Sequence, residues 1–209
     1  MKKVKNELGN NLRYICLIVV IAFGLIGIVG SGGGGGGNSE YLSTVSLTAQ
    51  YAEGYYEADV TVKVDTSDPA DDICDIYTFF ADEVNVTITS TSKEDLPEGV
   101  TANPVQIMSY TVEYIALEDS PAVPTKQFNY QQTIDPDHSA VIPIRVIDQE
   151  DKIISSSPLN YIDYFNSGAA SYEYTVRVTL RAEEVLSGEG TNLKVEFTLY
   201  YLDIADECY

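Results

Sequence analysis

Two stretches near the end of the chain alternate so regularly that they point to extended backbone. In Tyr172 to Ala182, the residues Tyr172, Tyr174, Val176, Val178 and Leu180 hold every second position, and Glu173, Thr175, Arg177, Thr179 and Arg181 fill the gaps. A strand sends successive side chains to opposite faces, so this pattern buries one set and wets the other. From Leu193 to Tyr201 the pattern returns, with Leu193, Val195, Phe197, Leu199 and Tyr201 against Lys194, Glu196, Thr198 and Tyr200. Between them, Ser187-Gly188 and Glu189-Gly190 supply turn residues, which predicts a hairpin.

The same period of two runs back through the chain. Val45, Leu47, Ala49 and Tyr51 form one face of a first strand, and Val60, Val62 and Val64 of a second. Val84, Val86 and Ile88 follow, with Asn85, Thr87 and Thr89 outward. A longer strand is predicted from about Val105 to Leu117, with Met108, Tyr110, Val112, Tyr114 and Ala116 on one side. Phe128, Tyr130 and Ile134 mark a shorter one, and Ala140, Ile142, Ile144 and Val146 another. Pro143 in that last strand cannot donate a ladder hydrogen bond, so it belongs at an edge or a bulge. Long helical periodicity is absent, and only Leu159 to Phe165 suggests a helical turn.

About eight antiparallel strands over residues 40–209 predict a single all-β domain, a β-sandwich. An up-and-down barrel is the alternative. A membrane barrel needs an apolar outer face, whereas Thr, Glu, Lys and Arg fill one whole face of several strands. No repeat of 20 to 50 residues supports a solenoid or propeller.

The chain opens differently. Lys2, Lys3, Lys5 and Arg13 precede an unbroken apolar run, Ile15 to Gly30. As a helix these residues span about 24 Å, short of the roughly 30 Å apolar core of a bilayer. Residues 1–30 therefore read as a secretory signal or, if uncleaved, an N-terminal membrane anchor with the body outside. The end of the run, Ile28-Val29-Gly30, resembles the lipobox of bacterial lipoproteins, but Ser31 stands where that motif has the lipid-bearing Cys. Residues 31–39, with six consecutive glycines from Gly32 to Gly37, read as a flexible linker.

Charge narrows the function. The chain carries 12 bases and 32 acids, a net charge of -20. Loss of residues 1–30 would remove four bases and one acid and take it to -23. Such a surface repels phosphate backbones and anionic lipid, which argues against nucleic acid and against charge-driven membrane binding. It attracts cations. The richest acidic segment holds Asp65, Asp68, Asp71, Asp72 and Asp75, and crowded loop carboxylates can coordinate calcium. Asp148, Glu150 and Asp151 form a second cluster, and Asp135 with Asp137 a third. The competing reading is a set of solvated turns, where Asp and Pro belong for backbone reasons.

Catalytic signals are weak. His138 is the only histidine, and a triad with Ser139 and Asp137 would require sequence neighbours to meet in a geometry they rarely adopt. No spacing marks a pair of glycosidase carboxylates. Tyr55, Tyr56, Tyr161, Tyr164 and Tyr200 could be exposed and form an interface patch or stack on sugars, although the chain has no Trp. Cys74 and Cys208 remain after loss of the signal, and an exported protein would pair them as a disulfide.

In strand number and alternation the body resembles bacterial exported immunoglobulin-like and fibronectin-like domains, without the Cys–Trp–Cys core of true immunoglobulins. That resemblance implies a non-enzymatic structural, adhesion or interaction module of the bacterial envelope or cell surface, with other envelope proteins or glycan as partners. The alternative is a calcium- or glycan-binding module built on acidic loops and exposed tyrosines.

Overall fold

A computed structural model describes residues 36–64, 76–117 and 119–204. The protein is all-β. Among the described residues there are twelve strands: β1 (Gly36–Gly37), β2 (Ser39–Tyr41), β3 (Val45–Tyr51), β4 (Tyr55–Asp59), β5 (Val62–Val64), β6 (Ile76–Thr78), β7 (Asp82–Ser92), β8 (Val105–Leu117), β9 (Lys126–Ile134), β10 (Ser139–Ile147), β11 (Tyr172–Glu184) and β12 (Gly190–Leu202). Two short helices, α1 (Gln149–Ile153) and α2 (Tyr161–Ser167), lie between β10 and β11.

The strands make two main sheets. The larger runs β1-β12-β11-β8-β9, with β4 also on β12; the smaller runs β10-β7-β3-β2, and β5 pairs only with β6. The hairpin legible in the sequence is its backbone: β11 and β12 pair antiparallel from Tyr172–Tyr201 to Glu183–Gly190. Gly188 takes φ +68° in the connection, a conformation that suits glycine. Inward residues of both sheets form one apolar core, in which Val176, Val178, Leu180, Leu193, Val195 and Leu199 are wholly buried. Each such side chain contributes about 1.5–3 kcal/mol by leaving water. Contacts cross directly between sheets: the Tyr51 and Phe197 ring centroids are 4.8 Å apart, and Tyr114 donates to the Val146 carbonyl.

Several expectations need correction. The count of about eight strands rises because β1, β2, β4 and β6 are too short to show periodicity. The Val60–Val64 strand divides, with Val60 and Thr61 between β4 and β5. In β8 the register on β11 slips, with Ser109 opposite Arg181 and Ile107 opposite Ala182, so Met108 is an extra residue. This bulge reverses the facing of the residues that precede it. Val105 and Ile107 are therefore buried along with Tyr110, Val112 and Tyr114, while Met108 is exposed. Ala116 is also exposed. The helical turn is real but sits at Tyr161–Ser167, capped by Asn160, whose side chain accepts from the Ile162 N–H. Pro143 lies on β10, an edge strand, where its missing donor costs nothing.

The glycine run ends inside the sheets. Gly36 and Gly37 pair with Glu196 and Val195 of β12 in the larger sheet, and Ser39–Tyr41 pair with β3 in the smaller. The chain thus changes sheets at Asn38. A Cβ on Gly37 would stand 1.9 Å from the Ala49 carbonyl oxygen, so this crossing tolerates only glycine.

Candidate functional site

Asp65, Asp68, Asp71, Asp72 and Asp75 lie outside the described residues, as do Cys74 and Cys208. The other acidic clusters are described: Asp148, Asp151 and Asp137 are engaged internally, and Glu150 and Asp135 are exposed. Asp148 and Asp151 flank the start of α1 and both bind the Lys126 ammonium, Asp148 at 3.0 Å. Asp151 also accepts the Asp148 N–H at 2.9 Å. In the β9–β10 turn, Asp137 (φ +61°) accepts from the Ser92 backbone and hydroxyl, both at 2.8 Å. These bonds hold its carboxyl below the usual range. Among the described residues no group of three or more acids, histidines or cysteines is arranged to hold a metal.

The triad residues do not converge. His138 is exposed, and its Nδ1 lies 2.9 Å from the Pro136 carbonyl. The Ser139 hydroxyl pairs with Thr89 at 2.8 Å, and Asp137 is committed to Ser92. The tyrosines divide. Tyr55 is exposed and meets Tyr200 edge-on, centroids 6.2 Å apart, at the β4–β12 rim. Tyr56, Tyr161 and Tyr200 are half-buried. Tyr164 is buried, contrary to the sequence reading: its ring packs against Tyr172 and Tyr201 and its hydroxyl donates to the Ala170 carbonyl. The helical turn legible at Leu159 to Phe165 places it there, but one turn is too short to show which of its residues faces inward.

Two buried polar centres were not legible in the sequence. The first is Glu184, at the end of β11 and wholly buried. Ser43 Oγ (2.6 Å), Thr44 N (2.7 Å), Thr44 Oγ1 (2.9 Å), Ser187 Oγ (2.8 Å) and Asn103 Nδ2 (3.4 Å) all donate to it. Burial alone would raise its pKa; the bonds from Ser43, Thr44 and Ser187 outweigh that and bring it to about 2. Three separate connections, after β2, after β7 and after β11, are tied to this one carboxylate.

The second centre joins α1 to β7 and β4. Lys152 Nζ lies 2.8 Å from Asp82 Oδ2 and donates to the Asp59 carbonyl at 2.6 Å. Tyr56 donates to Asp82 Oδ1 at 3.1 Å. Burial raises the Asp82 pKa more than Lys152 and Tyr56 lower it. Tyr56 is raised in turn, by burial and then by the Asp82 charge. An aspartate and a lysine separated by seventy positions carry no sequence signal of their meeting.

The surface is polar and shallowly relieved. On the outer face of the larger sheet, Arg177 bridges Glu113 (3.1 Å) and Glu196 (2.5 Å) across three strands. An open groove of about 520 Å³ lies beside α1, lined by Pro124, Lys126, Phe128, Asp151, Ile154 and Pro158 among others. No helix among the described residues is long and apolar enough to cross a membrane. The chain matches no protein-family model and no curated protein.

Proposed function

We propose that the protein is an exported, non-enzymatic β-sandwich module with an immunoglobulin-like core, working through its surface at the bacterial envelope or cell exterior. The observation that carries this reading is the junction at the glycine run. A basic flank and an apolar run lead, through glycines, straight into a two-sheet body whose first strands begin at Gly36. The clusters that could have served as catalytic groups are bound to Lys126, Ser92 and Thr89. What faces outward is a broad polar sheet suited to contact with another protein. Fractionation with protease shaving of intact cells tests the placement. The body should be shaved or recovered with the envelope; a full-length product in the cytosol would overturn the proposal.

The pairing of exposed Tyr55 with half-buried Tyr200 favours a second reading, glycan binding by stacking at the sheet rim. A glycan array with the protein and Tyr200→Ala tests it; equal signals would dispose of it. Calcium binding rests on Asp65–Asp75, and calorimetry without heat at millimolar calcium would end it. The Cys74–Cys208 bridge rests on the even cysteine count of an exported chain. Reaction of the unreduced mature protein with two maleimides would refute the bridge.

A further inference from the structure

We propose that Lys152 and Asp82 become joined by a side-chain amide bond that the folded protein forms unaided. Both groups are withdrawn from water, with side chains 3% and 11% exposed. An ion pair so placed is expensive to desolvate and recovers that cost only with well-aligned partners. The alignment is lacking here. The Lys152 nitrogen stands 2.8 Å from Asp82 Oδ2, off the direction of a well-formed hydrogen bond. The pair is close, dry and poorly directed as a salt bridge, which is an arrangement of reactants.

The surrounding groups supply what amide formation needs. The Asp59 carbonyl holds the nitrogen in place at 2.6 Å, and the Tyr56 hydroxyl donates to Asp82 Oδ1, the oxygen that would gain negative charge during attack. Burial favours the neutral form of Asp82, so a proton can pass from the ammonium to Oδ2. The freed nitrogen lone pair then bonds to Cγ. The Cγ–Oδ2 bond breaks, and Oδ2 leaves as water with a second proton from the nitrogen, which keeps one. No oxidant, reductant or co-reactant is required. Fixed proximity replaces the entropy of bringing acid and amine together, a factor that reaches about 10⁵ M or more in effective concentration for well-oriented groups.

The test uses the full chain, exported, reduced, alkylated and digested with trypsin. An amide blocks cleavage after Lys152. Mass spectrometry should then find Val64–Lys93 joined to Val146–Arg177, one water lighter than the two together. Asp82→Asn should give the identical linked product, because it loses ammonia in place of water. Asp82→Ala should release the linear peptides Val146–Lys152 and Ile153–Arg177. Tyr56→Phe leaves both reactants in place and should slow the appearance of the linked product at least severalfold. Should Asp82→Ala fail to fold, the wild-type digest and Tyr56→Phe still decide. Quantitative recovery of the linear peptides from the wild type overturns the proposal, and an unchanged rate in Tyr56→Phe overturns the role given to Tyr56.

Discussion

Replacing Glu184 by Gln should cost stability at neutral pH and progressively less in acid. The carboxylate has no solvent exposure and receives five hydrogen bonds from three connections. Its pKa is about 2 in the fold against 4.5 for the ordinary group. By linkage, that depression is worth at most about 3.5 kcal/mol, since each unit corresponds to roughly 1.4 kcal/mol. The sign follows from the direction. A depressed pKa means that protons bind the unfolded chain more readily, so the contribution is fully present above pH 4.5 and is lost as pH falls toward 2. Gln keeps the shape and one acceptor but sets an amide N–H₂ among donors, forfeiting charge-assisted bonds worth about 1.5–3 kcal/mol each before relaxation. Urea unfolding of wild type and Glu184→Gln across this pH range isolates the group, because the other carboxylates cancel in the difference. The gap should be about 2–3 kcal/mol at pH 7 and narrow in acid. A gap that is independent of pH, or smaller than about 0.5 kcal/mol at pH 7, would refute the assignment.

Three further outcomes follow from single contacts. Gly37→Ala drives a methyl into the Ala49 carbonyl and should lower stability by about 1–3 kcal/mol in denaturant unfolding; an unchanged midpoint would show that the crossing at Asn38 is not held as described. Tyr201→Phe leaves the Leu159 carbonyl, now bonded at 2.7 Å, without its donor and should cost about 1–3 kcal/mol. The check is again urea unfolding, with Tyr200→Phe, whose side chain is half-buried, as the neutral comparison. Arg177→Gln breaks two bridges on a solvated face and should leave the thermal midpoint where it is, measured by circular dichroism.

The long strands were legible because one face of each is dry. Val176, Val178 and Leu180 alternate with Arg177 and Thr179, and the structure pairs them as that alternation requires. Legibility fails where the period is interrupted. The bulge at Met108 inverts the first residues of β8, and no residue type announces it, since Ile107 and Met108 are both apolar. Partnership is harder still. That β4 lies parallel to β12 depends on chain segments some 140 residues apart, and alternation says which face is buried, not beside whom. Both buried polar centres belong to this class. Glu184 ends a strand of ordinary alternation, and its donors come from three loops. Lys152 sits in an acidic turn that reads as solvent-facing, yet it points inward to Asp82.

The strand exchange at Asn38 also sets the order of events in time. β1, the first of the described strands to emerge, is partnered by β12, the last of them. In a growing or threading chain β1 therefore has no strand of the larger sheet to close against until the β11–β12 hairpin is delivered. Local pairs such as β11 with β12 can form at once, but the seam that joins beginning to end must wait, and its loop-closure cost delays assembly further. Until then the flank of β12 at Val195 and Glu196 is open to foreign strands, beyond the stretch that β4 covers. The last two glycines thus act as a latch that shuts late, keeping the polypeptide pliable while it is incomplete and shielding that margin once it is folded.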